Sequence, residues 1–448
     1  MQKLTFRTLI KKPAQEVIEW HLRSSSLIRT IPPWEKVCFQ SSLCHKGKVG
    51  CSLSLFFVTL RASLEYIESS QGDTFTLIQK KGHFKSFKVI TNIIPLENNV
   101  CELVETVEYE LPWFLSFLNL ESRISRIFHY KHNLIKFDLE IFNRYPTKEP
   151  LRILVSGARG FVGGQLIPFL ESAGHEISTL VRKRKVDCDR EIFYDPKGEK
   201  IDAAQLEGFD AVIHLAGENI ASGLWTEKKK RAIIASRSQG TAFLTSKLAS
   251  LKQPPKTFLC ASAIGIYGDR GSEGVDEQSR LGQEGFLSEV ARCWEEASAP
   301  IRGRGTRLVT MRFGMILSRH GGVLKKLHTL FKWGLGGRLG SGEQKVSWIA
   351  IDDVLGGIYH LLMRSDLEGP FNFCAPESVK NKEFTKSLAR AVNRWVGPPL
   401  PAFLITRILG QMGEELLLWG VRVEPKRLME SGYFFRYPTL KQALSHVI

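Results

Sequence analysis

Gly157, Gly160 and Gly163 stand three apart, directly after the apolar run LRILVS (151–156) and directly before the helically spaced Leu166, Ile167, Phe169 and Leu170. Strand, glycine turn and helix in that order can hold an anion. A turn free of Cβ atoms lets backbone N–H groups close on a diphosphate at the helix N-terminus, and the third glycine lets helix and strand pack closely. A second strand follows at 176–181, and another apolar strand, 210–215, ends in Ala216-Gly217. The pattern predicts a dinucleotide site built from Gly157, Arg159, Gly160, Phe161, Val162 and Gly163, with Leu215, Ala216 and Gly217 across the crevice.

The end of the second strand decides the form of the cofactor. An acid there accepts from a ribose 2′-hydroxyl and repels a 2′-phosphate; this chain has Arg182, with Lys183 and Arg184 beside it. A guanidinium suits a phosphate in charge and in bidentate geometry, so NADP(H) is expected. The alternative is a solvent-facing basic loop. Arg237 and Arg312, on the next helix and at the end of the strand 308–313, are further cations for phosphate or carboxamide contact, with a surface salt bridge as the other reading. His214 lies inside an apolar strand and is expected as a core histidine.

These motifs need a scaffold, and strands alternating with helices from residue 151 onward imply an α/β fold, a doubly wound parallel sheet of Rossmann type. The GxxGxxG spacing resembles the extended and atypical short-chain dehydrogenases/reductases. With DAVIHLAGENI (210–220), Ser236-Arg237, Ala261-Ser262-Ala263, Tyr267-Gly268, Arg312-Phe313-Gly314 and Gly334-Leu335-Gly336-Gly337, residues 151–448 resemble the "epimerase family proteins", relatives of nucleotide-sugar epimerases. The resemblance implies a Rossmann domain over 151–378 and a small helical C-terminal segment over 379–448. It also implies proton transfer by a Tyr-x-x-x-Lys pair with a Ser or Thr. Ser262 falls at the serine position, but Phe286 and Val290 occupy the tyrosine and lysine positions. The ordinary dyad is absent, which leaves Tyr267 as the nearby phenol and Glu218 or Glu289 as substitute acids.

The first 145 residues follow another pattern. Paired β-rich runs, one hairpin placed at Gly72-Asp73, give way to Ile124, Ile127, Phe128, Leu134, Ile135, Ile141 and Phe142, an apolar stripe on a helix from about 120 to 143. An antiparallel sheet gripping a long helix is the economical arrangement. With Trp20-His21, RTIPPWE (29–35), Gln79, Gly82, Phe84 and EYELP (108–112), residues 1–145 resemble a START-like (SRPBCC) helix-grip domain, α+β in class, which implies a cavity for an apolar ligand. The polar, proline-bearing NRYPTKEP (143–150) separates the two parts.

Composition narrows the function. The 448 residues carry 62 Lys+Arg and 46 Asp+Glu, a net charge of +16. The excess is +5 over residues 1–150 and +11 over the rest, so no basic arm emerges, and nucleic acid is not expected as a partner. Eight scattered cysteines without CxxC spacing suit reduced thiols rather than a metal site. No apolar run approaches a spanning length and no secretory leader is read, so a cytoplasmic protein without a membrane span is expected. Two functions remain open: an NADP-dependent oxidoreductase or epimerase-like enzyme acting on a small molecule, or a non-catalytic NADP(H)-binding sensor coupled to the START-like domain.

Overall fold

The computed structural model describes every residue except 41–47, 56–57, 69–73, 116–118, 147–148 and 184–189, and side chains outside 36–73. The Gly72-Asp73 turn, Arg184 and Lys185 therefore lie outside the described residues, as do the side chains of Cys38, Cys44, Cys51 and Cys188. Two compact units are present, Met1–Lys148 with Pro168–Gly174, and Glu149–Ile167 with His175–Ile448.

The first unit is a seven-stranded antiparallel sheet and a long helix. Its strands are β1 (Gln2–Ile10), β2 (Lys36–Gln40), β3 (Lys48–Leu55), β4 (Val58–Glu68), β5 (Thr74–Gly82), β6 (Ser86–Pro95) and β7 (Cys101–Glu110), in the order β1-β7-β6-β5-β4-β3-β2. Helix α1 (Glu121–Arg144) follows, where the apolar period changes from two to 3.6. Its Ile124 and Phe128 pack with Val89, Val107 and Tyr109, and its Ile135 and Leu139 with Ile10, Phe75 and Leu103. Charges are buried in pairs here, as desolvation demands. Arg29 donates through Nε and Nη2 to the carboxylate of Asp138, at 2.9 and 3.1 Å. Burial opposes ionisation of Glu105, yet Lys131 and His132 hold its carboxyl well below the usual range.

The second unit is built on the strands β8 (Arg152–Ser156), β9 (Glu176–Val181), β10 (Glu191–Asp195), β11 (Lys200–Ile201), β12 (Ala211–His214), β13 (Thr257–Ala263), β14 (Arg307–Phe313) and β15 (Gly369–Phe373). Their order is β11-β10-β9-β8-β12-β13-β14-β15, parallel throughout except for the β10–β11 pair. The central strands are buried on both faces, which is why they read as continuous apolar runs rather than alternating ones. Successive strands move outward from β8 in one direction and then, from β12, in the other. A crevice must open between these two at their carboxyl ends. The helices used below are α2 (Gly163–Ser172), α3 (Glu227–Ala249), α4 (Phe286–Ser298), α5 (Gly322–Lys332) and α6 (Ala402–Leu409). Short helices, Lys426–Glu430 and Leu440–Val447 among them, end the chain.

Candidate functional site

The crevice is shaped by absent side chains. Gly157 has φ +72°, and a Cβ on it would lie 2.7 Å from the carbonyl carbon of Leu215 and 2.8 Å from the nitrogen of Ala216. The turn is thus pressed against the end of β12. A Cβ on Gly163 would lie 2.4 Å from the Gly157 oxygen, so the first turn of α2 can seat on the loop only without a side chain. Gly160 donates its N–H to the Gly157 oxygen at 2.8 Å and is exposed on its other side, as is Arg159; Phe161 and Val162 are half-buried.

A buried polar knot fixes the two strand ends that flank the crevice. Ser156 Oγ accepts from the N–H groups of Leu215 (3.1 Å) and Ala216 (3.3 Å) and is bonded to His214 Nδ1 at 2.6 Å. His214 Nε2 meets Thr241 Oγ1 of α3 at 2.9 Å. Burial pushes the His214 imidazole down to about 4, so it stays neutral and acts as the satisfied core histidine of the sequence reading.

Three arginines surround this opening with different freedom. Arg159 Nη2 reaches the Lys183 carbonyl (3.1 Å) and Glu191 Oε1 (3.2 Å), strapping the loop to the edge of β9 and β10. Arg182 is exposed at the end of β9. Together with Arg237, and after the hydrogen-bonded Lys229, it helps hold the Glu218 carboxyl below its usual range. Arg237 is buried, with its guanidinium over the Trp294 ring at 4.7 Å and against Gly217. Among the described residues only its Nη1 donates, to Ile233 O at 3.3 Å and Ser236 Oγ at 3.5 Å. No carboxylate pairs with Arg237 among the described residues, and burial lowers it to about 10. A buried cation with nitrogens to spare, beside the backbone of Gly217, is arranged for an incoming anion.

Arg312 differs from that expectation. Its Nε and Nη2 donate to Glu295 at 2.8 and 2.9 Å, and its Nη1 donates to the Tyr267 hydroxyl at 2.8 Å. All three nitrogens are engaged within the protein, so Arg312 belongs to an internal network. That network joins residues the sequence singled out separately. Ser262, Arg312 and Asn372 are register partners on β13, β14 and β15, and therefore leave the sheet on one face. Ser262 Oγ donates to Glu295 Oε1 at 2.8 Å, and the Tyr267 hydroxyl donates to Asn372 Oδ1 at 2.8 Å. Tyr267 is fully buried; burial, eased by Arg312, pushes its phenol up to about 12, so it is not a base near neutral pH. Glu295 of α4, which ties Ser262 to Arg312, was missed in the sequence. It follows buried Ala291 by four residues and so falls on the inner face of α4, where a carboxylate demands a cation.

Phe286 and Val290 are buried with Trp225 and Ile233, and the Phe286 and Trp225 rings meet edge-on at 4.8 Å. Met412 and Leu416 pack on the same cluster. The Glu415 carboxylate accepts from the N–H groups of Phe286 (2.9 Å) and Leu287 (2.8 Å), capping α4 from the C-terminal segment. Glu289 lies on the exposed side of α4, and Glu218 is bound to Lys229 Nζ at 2.6 Å. No cluster of His, Cys, Asp and Glu suited to a metal occurs among the described residues.

Sheet order, glycine loop and crevice define an α/β protein of Rossmann type. Residues 153–374 match the model of the NAD dependent epimerase/dehydratase family, and residues 400–447 match a domain of unknown function, DUF1731. The human epimerase family protein SDR39U1 is 34% identical over 300 residues, 66% of this chain and 100% of the human protein. An epimerase family protein of Mycobacterium leprae is 34% identical over 294 residues, 66% of this chain and 94% of its own length. The chain belongs to this epimerase family. Its structure is similar to that of human SDR39U1 solved with NADPH (TM-score 0.62, 33% identity, 66% of this chain and 99% of that one). It is also similar to a nucleoside-diphosphate sugar epimerase from Corynebacterium glutamicum (TM-score 0.82, 30% identity, 99% of this chain and 90% of that one), a likeness that extends over both units.

Proposed function

We propose that the second unit binds NADP(H) and is an oxidoreductase or epimerase-like catalyst for a small molecule bearing a hydroxyl or carbonyl group. The observation that carries the reading is Arg237, a buried guanidinium against Gly217 that no carboxylate pairs with among the described residues. Gly157, Gly160 and Gly163 would receive the diphosphate, with Leu215, Ala216 and Gly217 along the adenosine, and Arg182 and Arg237 would meet the extra phosphate. Arg159 would hold the loop, with Phe161 and Val162 at its rim. The NADPH found in the human relative supports the phosphorylated cofactor. When bound, the cofactor supplies or accepts the hydride.

The chain's own residues organise the remainder. Ser262 shares its proton with Glu295, Arg312 fixes the orientation of that carboxylate, and Tyr267, still a phenol, holds Arg312 in place. Ser262 and Glu295 are the pair through which a substrate proton would pass, and Tyr267 is a positioning residue. A second reading, a cofactor sensor without turnover, is favoured by the apolar packing of Phe286 and Val290 where the family's dyad would stand. Residues 1–145 are proposed as a START-like domain, 151–378 as the Rossmann domain and 379–448 as the helical segment. In the first of these, Trp20 Nε1, His21 Nε2 and Tyr109 OH are buried without a partner among the described residues and would face a ligand that is mainly apolar.

Calorimetric titration of the purified protein with NADPH and NADH tests the binding. Loss of NADPH absorbance across a panel of carbonyls, nucleotide sugars and quinones tests turnover. Tight NADPH binding with turnover supports the catalyst, and tight binding with none supports the sensor. Retention of neither nucleotide overturns both.

A further inference from the structure

A part of the second unit away from the glycine loop has a surface unlike the rest. The chain leaving α5 (332–340) and the chain entering α6 (394–400) are joined by backbone hydrogen bonds, Gly397 N to Gly336 O at 2.8 Å and Leu400 N to Arg338 O at 2.9 Å. Gly337 permits the contact, since a Cβ there would collide with the Pro398 carbonyl. Arg394 Nε donates to Lys332 O at 3.1 Å, which places the neighbouring Trp333 and Trp395 on adjacent strands of backbone. These two indoles are 77% and 89% exposed, and Leu335, Val396 and Phe403 are exposed beside them. Large apolar side chains clustered in water mark a surface that is covered in use.

Charge identifies the covering partner. Residues 321–342 and 384–413 together contain eight Lys or Arg and no Asp or Glu. The windows are bounded by Glu343, Glu383, Glu414 and Glu415; Glu343 is engaged by Lys380 and Lys382, Glu383 accepts from the Lys380 N–H, and Glu415 caps α4. Indoles at loop tips within two segments whose charged residues are all cations match the headgroup layer of an acidic bilayer. A second copy docked on the same face would bring like charges together. We propose that the loops carrying Trp333 and Trp395 bind the surface of an anionic membrane peripherally, placing the two indoles at headgroup depth. No described helix is long and apolar enough to cross a membrane, and none is needed for this attachment.

The test uses the full chain with sucrose-loaded vesicles of phosphatidylcholine alone or mixed with phosphatidylglycerol, at low and high salt. At least tenfold stronger pelleting with the anionic vesicles is expected, reversed by salt, with a blue shift of tryptophan emission. The double variant Trp333→Ser/Trp395→Ser should lose at least tenfold in binding with an unchanged thermal melt, and Lys332→Glu/Arg338→Glu should lose the preference for anionic lipid. Quenching of wild-type emission by brominated lipid gives the same answer if a variant folds poorly. Absence of pelleting, or equal pelleting with neutral and anionic vesicles, overturns the proposal. So does a dimer that the tryptophan variant dissolves in the absence of any vesicle binding.

Discussion

Arg237→Met separates a cofactor ligand from a structural arginine, because the two roles predict opposite signs. Burial lowers Arg237 from its ordinary value to about 10, which is worth about 3 kcal/mol against the buried cation. Its place over Trp294 returns about 1–2 kcal/mol. Methionine keeps most of the stem's volume and removes the charge. Without cofactor the variant should therefore unfold in urea at the same free energy as wild type, or about 1 kcal/mol higher. Hydrogen bonds to a charged group are worth about 1.5–3 kcal/mol, so NADPH affinity should fall roughly 10- to 100-fold. At NADPH equal to 100 wild-type Kd, bound ligand adds about 2.7 kcal/mol to the wild type. A variant about 30-fold weaker would gain only about 1 kcal/mol at the same concentration. Urea titrations with and without NADPH read both quantities. A variant that is less stable without cofactor by about 2 kcal/mol and keeps the full NADPH increment would refute the reasoning.

Gly160→Val should abolish NADPH binding measured by calorimetry, since it puts a branched side chain on the open side of the loop, and a Cβ already meets Gly157 O at 2.9 Å. Arg182→Asp should move the preference from NADP(H) toward NAD(H); unchanged selectivity would remove Arg182 from the site. Glu295→Gln leaves the buried Arg312 without its carboxylate and should cost about 3 kcal/mol by chemical denaturation, with Ser262 losing its ionic acceptor. His214 is depressed in the folded state from 6.5 to about 4 by burial. Its contribution is fully present above pH 6.5 and is lost as the pH falls toward 4, to the extent of about 3 kcal/mol. His214→Gln should flatten the stability profile in that window, and an unchanged slope would count against the buried knot.

The glycine loop was readable because its determinants are local: a strand, a turn and a helix within twenty residues carry their own spacing. The same holds for α1, expected over 120–143 and found at Glu121–Arg144. The network of Ser262, Glu295, Arg312 and Tyr267 was not readable as a unit, because its pairings depend on the register of β13, β14 and β15 and on which face of α4 turns inward. Sequence could nominate Arg312 as a cation at a strand end, but only three dimensions show Glu295 beneath it. Phe286 and Val290 were legible as apolar residues, whereas the origin of the residues that pack over them, more than 120 positions downstream, was not.

The cap that Glu415 places on α4 bears on substrate choice. The start of that helix is where a phosphate or carboxylate of an incoming molecule would find donors, and the polypeptide has already put a carboxylate of its own there. An anionic substrate would have to evict this resident to use the seat, whereas a neutral one would leave it undisturbed. For the catalyst proposed above, a change at position 415 would therefore alter the charge offered at this helix start while the Rossmann sheet stays unchanged.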